Sequence, residues 1–458
     1  MTEQQQEKEN QDMKEIKGGV TAPEGFEAAA VEAAIKYKDR KDLAIIFSTA
    51  PCKAAGTFTS NVVKAAPVLW DQRIVEQSES VQAIVVNSGV ANACTGEQGM
   101  AVCEAEAVCA ARALGIEKES VLVASTGVIG MQIPSDRILK GIQKAASEKT
   151  GSLQAGLEAA QAIMTTDTIP KQVAVSFEIG GKTVTIGGMC KGSGMIHPNM
   201  CTMLAFVTTD LHISRELLTK AVKADVTDTY NMISVDGDTS TNDTLLVLAN
   251  GLAGNPEITA ENDDYRTFVQ ALNYVNTALA VKMAGDGEGA TALFETKVVN
   301  AATKEDARIL AKSVICSSLT KAAIFGHDAN WGRILCALGY SGAQFDPENV
   351  DLYFMGSNVE GSHLNLLNLS QQAEQTQQVE QTQQVEIETE MEMGCRNEKL
   401  HIFGNGTAKD YSEEGASRIL SQPRVTVLVD MHMGVETATA WGCDLSYDYV
   451  KINADYRT

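Results

Sequence analysis

The chain has 458 residues, 44% of them hydrophobic and 21% charged, a composition typical of globular proteins that excludes wholesale disorder and fibrous architectures. A formal net charge of −22 repels phosphate backbones and anionic lipid, and no basic patch offsets it, so neither nucleic acid nor a membrane surface is an expected partner. Apolar stretches stop well short of the roughly 20 residues that a bilayer span needs.

Residues 1–17 lack the apolar core and small-residue cleavage site of a secretory signal and read as a solvated, disordered arm. Residues 43–47 (LAIIF) and 83–87 (AIVVN) suit buried strands, and 100–114 has the length and alanine content of a helix. A further strand, 121–125 (VLVAS), runs into a turn at Thr126-Gly127. Between 173 and 186, Val173, Val175, Phe177 and Ile179 share one face, Gly180-Gly181 supply a tight turn, and Val184 and Ile186 resume the alternation. This pattern predicts a hairpin. A glycine-rich loop at 191–195 then leads to a strand at 202–209 (TMLAFVTT), and helices are expected at 215–226, 265–283, 305–319 and 413–420. Residues 371–393 contain the tandem EQTQQVEQTQQVE, a low-complexity tract too polar to offset its ordering entropy by burial, and read as an exposed insertion. The mixture of strands and helices predicts a layered α/β architecture. Ten cysteines with no Cys-x-x-Cys pair, several in apolar helical stretches such as Cys103 and Cys109, point to reduced core packing and a cytoplasmic location.

Several short motifs fail on their own chemistry. Asp236 to Asp243 resembles a calcium loop, but Thr241 stands where glycine is needed and Val247 where a bidentate glutamate is needed, so a polar turn is the better reading. Gly285-Asp-Gly287-Glu-Gly289 follows a helix instead of a strand and is one residue off the dinucleotide fingerprint. Gly180-Gly-Lys182-Thr183 lies in the hairpin and lacks the first P-loop glycine. The histidines have no metal-ligand spacing, and Ser193 lacks the preceding glycine of a nucleophile elbow.

There remains Lys191-Gly-Ser-Gly-Met-Ile-His-Pro-Asn-Met-Cys-Thr-Met-Leu204, which delivers a threonine to the start of an apolar strand. Taken alone, it is a loop before a strand. Together with Gly18 to Phe26, Asn87 to Asn92, Ser125 to Gly130, Met164 to Thr168, Ser234 to Asp243, Gly285 to Thr291 and Ile452 to Thr458, it resembles the ornithine acetyltransferases of the arginine pathway, the glutamate N-acetyltransferase family. The likeness covers nearly the whole chain. It departs from the family at Cys201, where alanine is more usual, and at the Gln/Glu insertion.

The resemblance implies self-cleavage between Cys201 and Thr202 into an alpha chain, 18–201, and a beta chain, 202–458, interleaved in one α/β sandwich and assembled as α2β2. Thr202 would be the nucleophile, its freed α-amine, of ordinary pKa about 7.7 to 8.0, serving as base for the hydroxyl beside it. Thr126 and Gly127 would supply oxyanion donors, which a strand end favours because its N–H groups are free of the ladder. Lys191 would contact substrate and support charge. Thr165 or Thr166, Glu288, Asn453 and Thr458 would complete the substrate pocket for N2-acetylornithine and glutamate. No cofactor or metal is expected, since an acyl-enzyme conserves the amide energy, and acetyl-CoA use is left open. The alternatives are an amino-terminal-nucleophile hydrolase or aminopeptidase and a non-catalytic interaction protein.

Overall fold

The computed structural model describes residues 13–197, 203–356 and 399–454. These fall into two compact units, one running to Glu288 and one from Gly289 to Asp455. The insertion at 371–393 lies outside the described residues.

The first unit is built on strands β1 (Lys14–Ile16), β2 (Phe26–Val31), β3 (Leu43–Phe58), β4 (Val81–Asn87), β5 (Val121–Ser125), β6 (Lys171–Ile179), β7 (Lys182–Lys191), β8 (Leu204–Thr209), β9 (Ile233–Ser234) and β10 (Thr244–Ala249). All but the two-residue β9 form one sheet, in the order β1-β6-β7-β8-β10-β3-β4-β5, with β2 also on β3. Strands from beyond position 202, β8 and β10, thus lie between β7 and β3 from before it, the interleaving that the resemblance implied. The expected hairpin is β6–β7, with Gly180 and Gly181 at φ of +57° and +73°. The expected arm ends sooner than residue 17, because Lys14–Ile16 pairs with β6.

β3 is far longer than the apolar run that announces it. Its first half pairs with β4 and β2, its second half with β10, and the β4 register shifts between Phe47 and Cys52. A straight 16-residue strand would hold its ends about 50 Å apart. Asn242, two residues before the partner of Phe58, nevertheless hydrogen-bonds Ser125, whose β4 partner Asn87 pairs with Leu43. The strand therefore turns the ladder back on itself. One apolar core joins Met189, Phe206, Leu246 and Leu248 to Ile45, Ile84 and Val85, and to the helices Ala66–Gln77, Gly96–Leu114, Ser135–Glu148 and Leu153–Ala162. The helix Asp263–Gly285 packs on β6 and β7, where Leu279 fills the space a side chain at Gly188 would take. The result is a layered α/β sandwich.

In the second unit, strands β11 (Leu293–Ala301), β12 (Asp351–Gly356), β13 (Lys399–Gly404), β14 (Thr407–Ala408), β15 (Arg424–Asp430) and β16 (Glu436–Cys443) run in the order β14-β13-β12-β15-β11-β16. Only β11 and β15 pair in parallel. The helix expected at 305–319 is two helices, Lys304–Cys316 and Ser318–Phe325, because Ser317 leaves helical geometry and caps the second by accepting the Thr320 N–H. Among the described residues no helix is long and apolar enough to cross a membrane.

Candidate active site

The end of β5 and the start of β8 are brought to one place by a single side chain. Nδ2 of the buried Asn242 donates to the carbonyls of Ala91 at 2.6 Å and Ser125 at 2.8 Å. Two residues on, the Thr244 N–H donates to the carbonyl of Met203 at 2.8 Å, and Leu204 pairs with Thr244 on one side and Lys191 on the other. The turn Thr126-Gly127, the head of β8 and the tail of β7 are therefore neighbours. Cys201, Thr202 and Thr458 themselves lie outside the described residues.

Gly127 has φ of +131°, and a β-carbon there would lie 2.2 Å from the Gly89 carbonyl carbon, so only glycine fits the close approach. Its N–H has no acceptor among the described residues. The expectation that both backbone donors are free is corrected at Thr126, whose N–H donates to the Asn87 carbonyl at 3.0 Å and so prolongs the β4–β5 ladder by one residue. The Thr126 hydroxyl, which has no partner among the described residues, and the Gly127 N–H are the donors left to face a ligand.

The sequence places Lys191 in a loop; it is instead the last residue of β7 and is buried. Burial pushes its ammonium below the usual lysine range, Lys171 pushes the same way, and Asp167 opposes them. Asp167, also buried, is held down at about 2 because Lys191 and Lys171 together outweigh its own desolvation. Neither Asp167 nor Lys171 is singled out as a site residue by the sequence, nor is Asp286, whose carboxylate lies 2.5 Å from the Lys171 ammonium.

The two candidate threonines separate. The Thr166 hydroxyl is 2.7 Å from the Ser193 hydroxyl, whereas the Thr165 hydroxyl has no partner among the described residues and its backbone N–H donates to Asp167 at 3.1 Å. Glu288, an exposed turn acid on sequence grounds alone, is buried: its N–H donates to the Ser193 carbonyl at 2.8 Å, and its carboxyl occupies the space a side chain at Gly194 would need. The glycines of the 192–194 loop thus make room for an acid. The polar segment from Asp236 is also engaged, its carboxylate accepting the N–H groups of Met195 at 2.6 Å and Ile196 at 2.8 Å. Asn453 belongs to the second unit, on the helix Tyr447–Ala454, with Nδ2 donating to the Tyr449 carbonyl at 3.0 Å.

The model of the ArgJ family matches residues 27–401 and 396–458. The chain belongs to the ArgJ family. It is 50% identical to the arginine biosynthesis bifunctional protein ArgJ of Symbiobacterium thermophilum over 97% of this chain and 100% of that one. Identity to arginine biosynthesis bifunctional protein ArgJ 1 of Clostridium acetobutylicum is 48%, over 94% and 96%. Among solved structures, it is similar to the ornithine acetyltransferase of Mycobacterium tuberculosis complexed with ornithine, at 43% identity over 42% of this chain and 100% of that one, with a TM-score of 0.38. In this ArgJ-family chain the segments matched on sequence, Asn87 to Asn92, Ser125 to Gly130, Met164 to Thr168, Lys191 to Leu204, Ser234 to Asp243 and the acid-bearing turn at Glu288, are linked by the hydrogen bonds described above.

Proposed function

We propose that the chain is the ornithine acetyltransferase of arginine biosynthesis, a glutamate N-acetyltransferase that moves acetyl from N2-acetylornithine to glutamate through an acetyl-Thr202 intermediate. The observation that carries this reading is the Asn242 link, which sets the Thr126-Gly127 donors beside the strand that follows Thr202. Cleavage between Cys201 and Thr202 frees an α-amine that takes the proton of the neighbouring hydroxyl as its oxygen attacks the acetyl carbonyl. Negative charge gathers on the carbonyl oxygen, where the Gly127 N–H and the Thr126 hydroxyl stabilise it, a donor of this kind contributing about 3 kcal/mol. Collapse expels ornithine, whose amine takes up the proton. Glutamate then attacks the acetyl ester by the reverse sequence. Lys191 pairs with the substrate α-carboxylate, the Thr165 hydroxyl contacts it, and Glu288 receives the acceptor's ammonium. The exchange calls for no cofactor, because the ester conserves the acyl bond.

The bifunctional designation of the relatives supports acetyl-CoA as a second acetyl donor to glutamate. The working form is α2β2 in the cytoplasm.

Cleavage ahead of Thr202 divides 458 residues into 201 and 257, fragments of about 21 and about 27 kDa on a denaturing gel, the larger beginning Thr-Met-Leu. Thr202→Ala stays uncut and inactive, while Thr202→Ser, which keeps a hydroxyl, retains cutting and some transfer. Active enzyme running as one uncut band sinks the reading. Acetylornithine consumed equally fast with and without glutamate, and yielding free acetate, makes the chain a hydrolase instead.

A further inference from the structure

Four charges stand in a row inside the first unit. Oδ2 of Asp286 lies 2.5 Å from Nζ of Lys171, the same ammonium lies 2.7 Å from Oδ1 of Asp167, and Oδ2 of Asp167 lies 4.0 Å from Nζ of Lys191. The side chains of Lys171 and Asp167 are wholly excluded from solvent. Alternating signs leave the row neutral, which is how a dry interior can hold four ions at once.

Asp167 is the junction of this row. Its Oδ1 also accepts the Gly192 N–H at 2.7 Å, and its Oδ2 accepts the Thr165 N–H at 3.1 Å. One carboxylate therefore ties the end of β7, where Lys191 sits, to the segment that carries Thr165. Behind it, Asp286 accepts from both the N–H and the hydroxyl of Thr168 and fixes the other end of that segment two residues before Glu288. The Asp167 side chain is wholly excluded from solvent, so it has no open face to offer a substrate.

We propose that Asp167 is the positioning residue of the site: its carboxylate, backed by Lys171 and Asp286, fixes where the Lys191 ammonium and the Thr165 segment stand to receive the substrate α-carboxylate. This rests on the acetyltransferase reading above and deepens it. Its electrostatic consequence follows from sign. Burial and the Lys171 charge both favour neutral Lys191, and Asp167, with Glu288 and Asp243 behind it, favours the cation. An uncharged residue at 167 leaves two ammonium groups facing each other in a dry place. Lys191 then gives up its proton at lower pH.

The test is kcat/KM for N2-acetylornithine across pH in the full chain, for wild type, Asp167→Asn, and the double variant Asp167→Asn with Lys171→Met. In Asp167→Asn, Lys171 keeps Asp286 while Lys191 loses its counter-ion, and the row carries one excess positive charge. The double variant removes the ammonium that repels Lys191 and leaves one charge of each sign, so a chain that fails to fold with the first change has a second whose row is neutral. Extent of self-cleavage and the thermal midpoint are followed alongside. The expected result is a basic limb displaced toward acid by about one pH unit or more in Asp167→Asn and by less in the double variant, with KM raised about tenfold or more. A basic limb coinciding with that of wild type in whichever variant folds overturns the proposal. Wild-type enzyme that transfers no acetyl defeats the acetyltransferase reading itself; active wild type with unmoved variant limbs defeats only the role of Asp167.

Discussion

Replacing Asn242 by aspartate swaps one NH2 for an oxygen at constant volume. The acceptor Oδ1 still takes its hydrogen bond from Thr241, 2.5 Å away, but the donor side loses both of its bonds, to Ala91 and to Ser125. Two carbonyls are then left without a donor in a place water does not reach, each costing about 1–3 kcal/mol, so about 2–6 kcal/mol together. An anion facing two carbonyl oxygens adds repulsion, which the variant relieves by protonating, so the deficit is smaller at pH 5 than at pH 8. On the proposed mechanism catalysis suffers separately, because these bonds hold Gly127, the proposed oxyanion donor, beside the strand that follows Thr202, the proposed nucleophile, and a displacement of about 1 Å costs ~100-fold in rate. Urea unfolding at both pH values, read as a midpoint change at constant slope, and single-turnover acetyl transfer measure the two effects. Stability within about 0.5 kcal/mol of wild type, with an unchanged rate, refutes the claim that this side chain joins the oxyanion turn to β10.

Two further changes probe the same unit. In Gly127→Ala the new methyl collides with the Gly89 backbone at a positive φ, which predicts about 1–3 kcal/mol of strain and a loss of about 10²–10³ in kcat as the donor is displaced. Gly115→Ala, also at positive φ but with nothing within 4 Å, is the control that loses stability and keeps its rate; equal kcat for the two variants counts against the oxyanion role. Glu106→Met tests a buried acid whose two oxygens have no hydrogen-bond partner among the described residues and whose carboxyl is pushed up to about 8 by burial. Because the folded value lies above the unfolded one, native Glu106 holds its proton more tightly, and wild-type stability falls as pH rises from about 4.5 to about 8, by on the order of 5 kcal/mol. The stability advantage of Glu106→Met therefore grows across that window, and an advantage that does not change with pH shows that Glu106 is not the titrating group.

The first unit was legible where periodicity is local. Runs such as VLVAS and the alternating hairpin declare their strands, since each face is buried or solvated residue by residue. The second half of β3 was missed because Pro51 and the exposed Thr49 and Lys53 break the apolar run, even though Cys52 and Ala54 keep the inward phase. In the second unit, β15 buries Val425, Val427 and Val429 on one face while Arg424, Thr426, Leu428 and Asp430 alternate with them half-exposed; Leu428 on the outer face blurs that period into the apolar run 427–429.

The candidate site divides along a different line. Residues carried by continuous motifs could be named from sequence, whereas the row from Asp286 to Lys191 joins positions more than a hundred residues apart, which no local pattern encodes. One signal was nevertheless present. In KQVAVSFEI the buried phase is Val173, Val175, Phe177 and Ile179, and Lys171 falls on that same phase. A lysine on the inward face of a strand calls for a buried counter-charge, and Asp167, four residues earlier in a motif already matched, was the nearest acid in sequence. Phase and charge read together lead from a hairpin to the ion row behind Lys191, because the strand that buries the lysine must also bury what neutralises it.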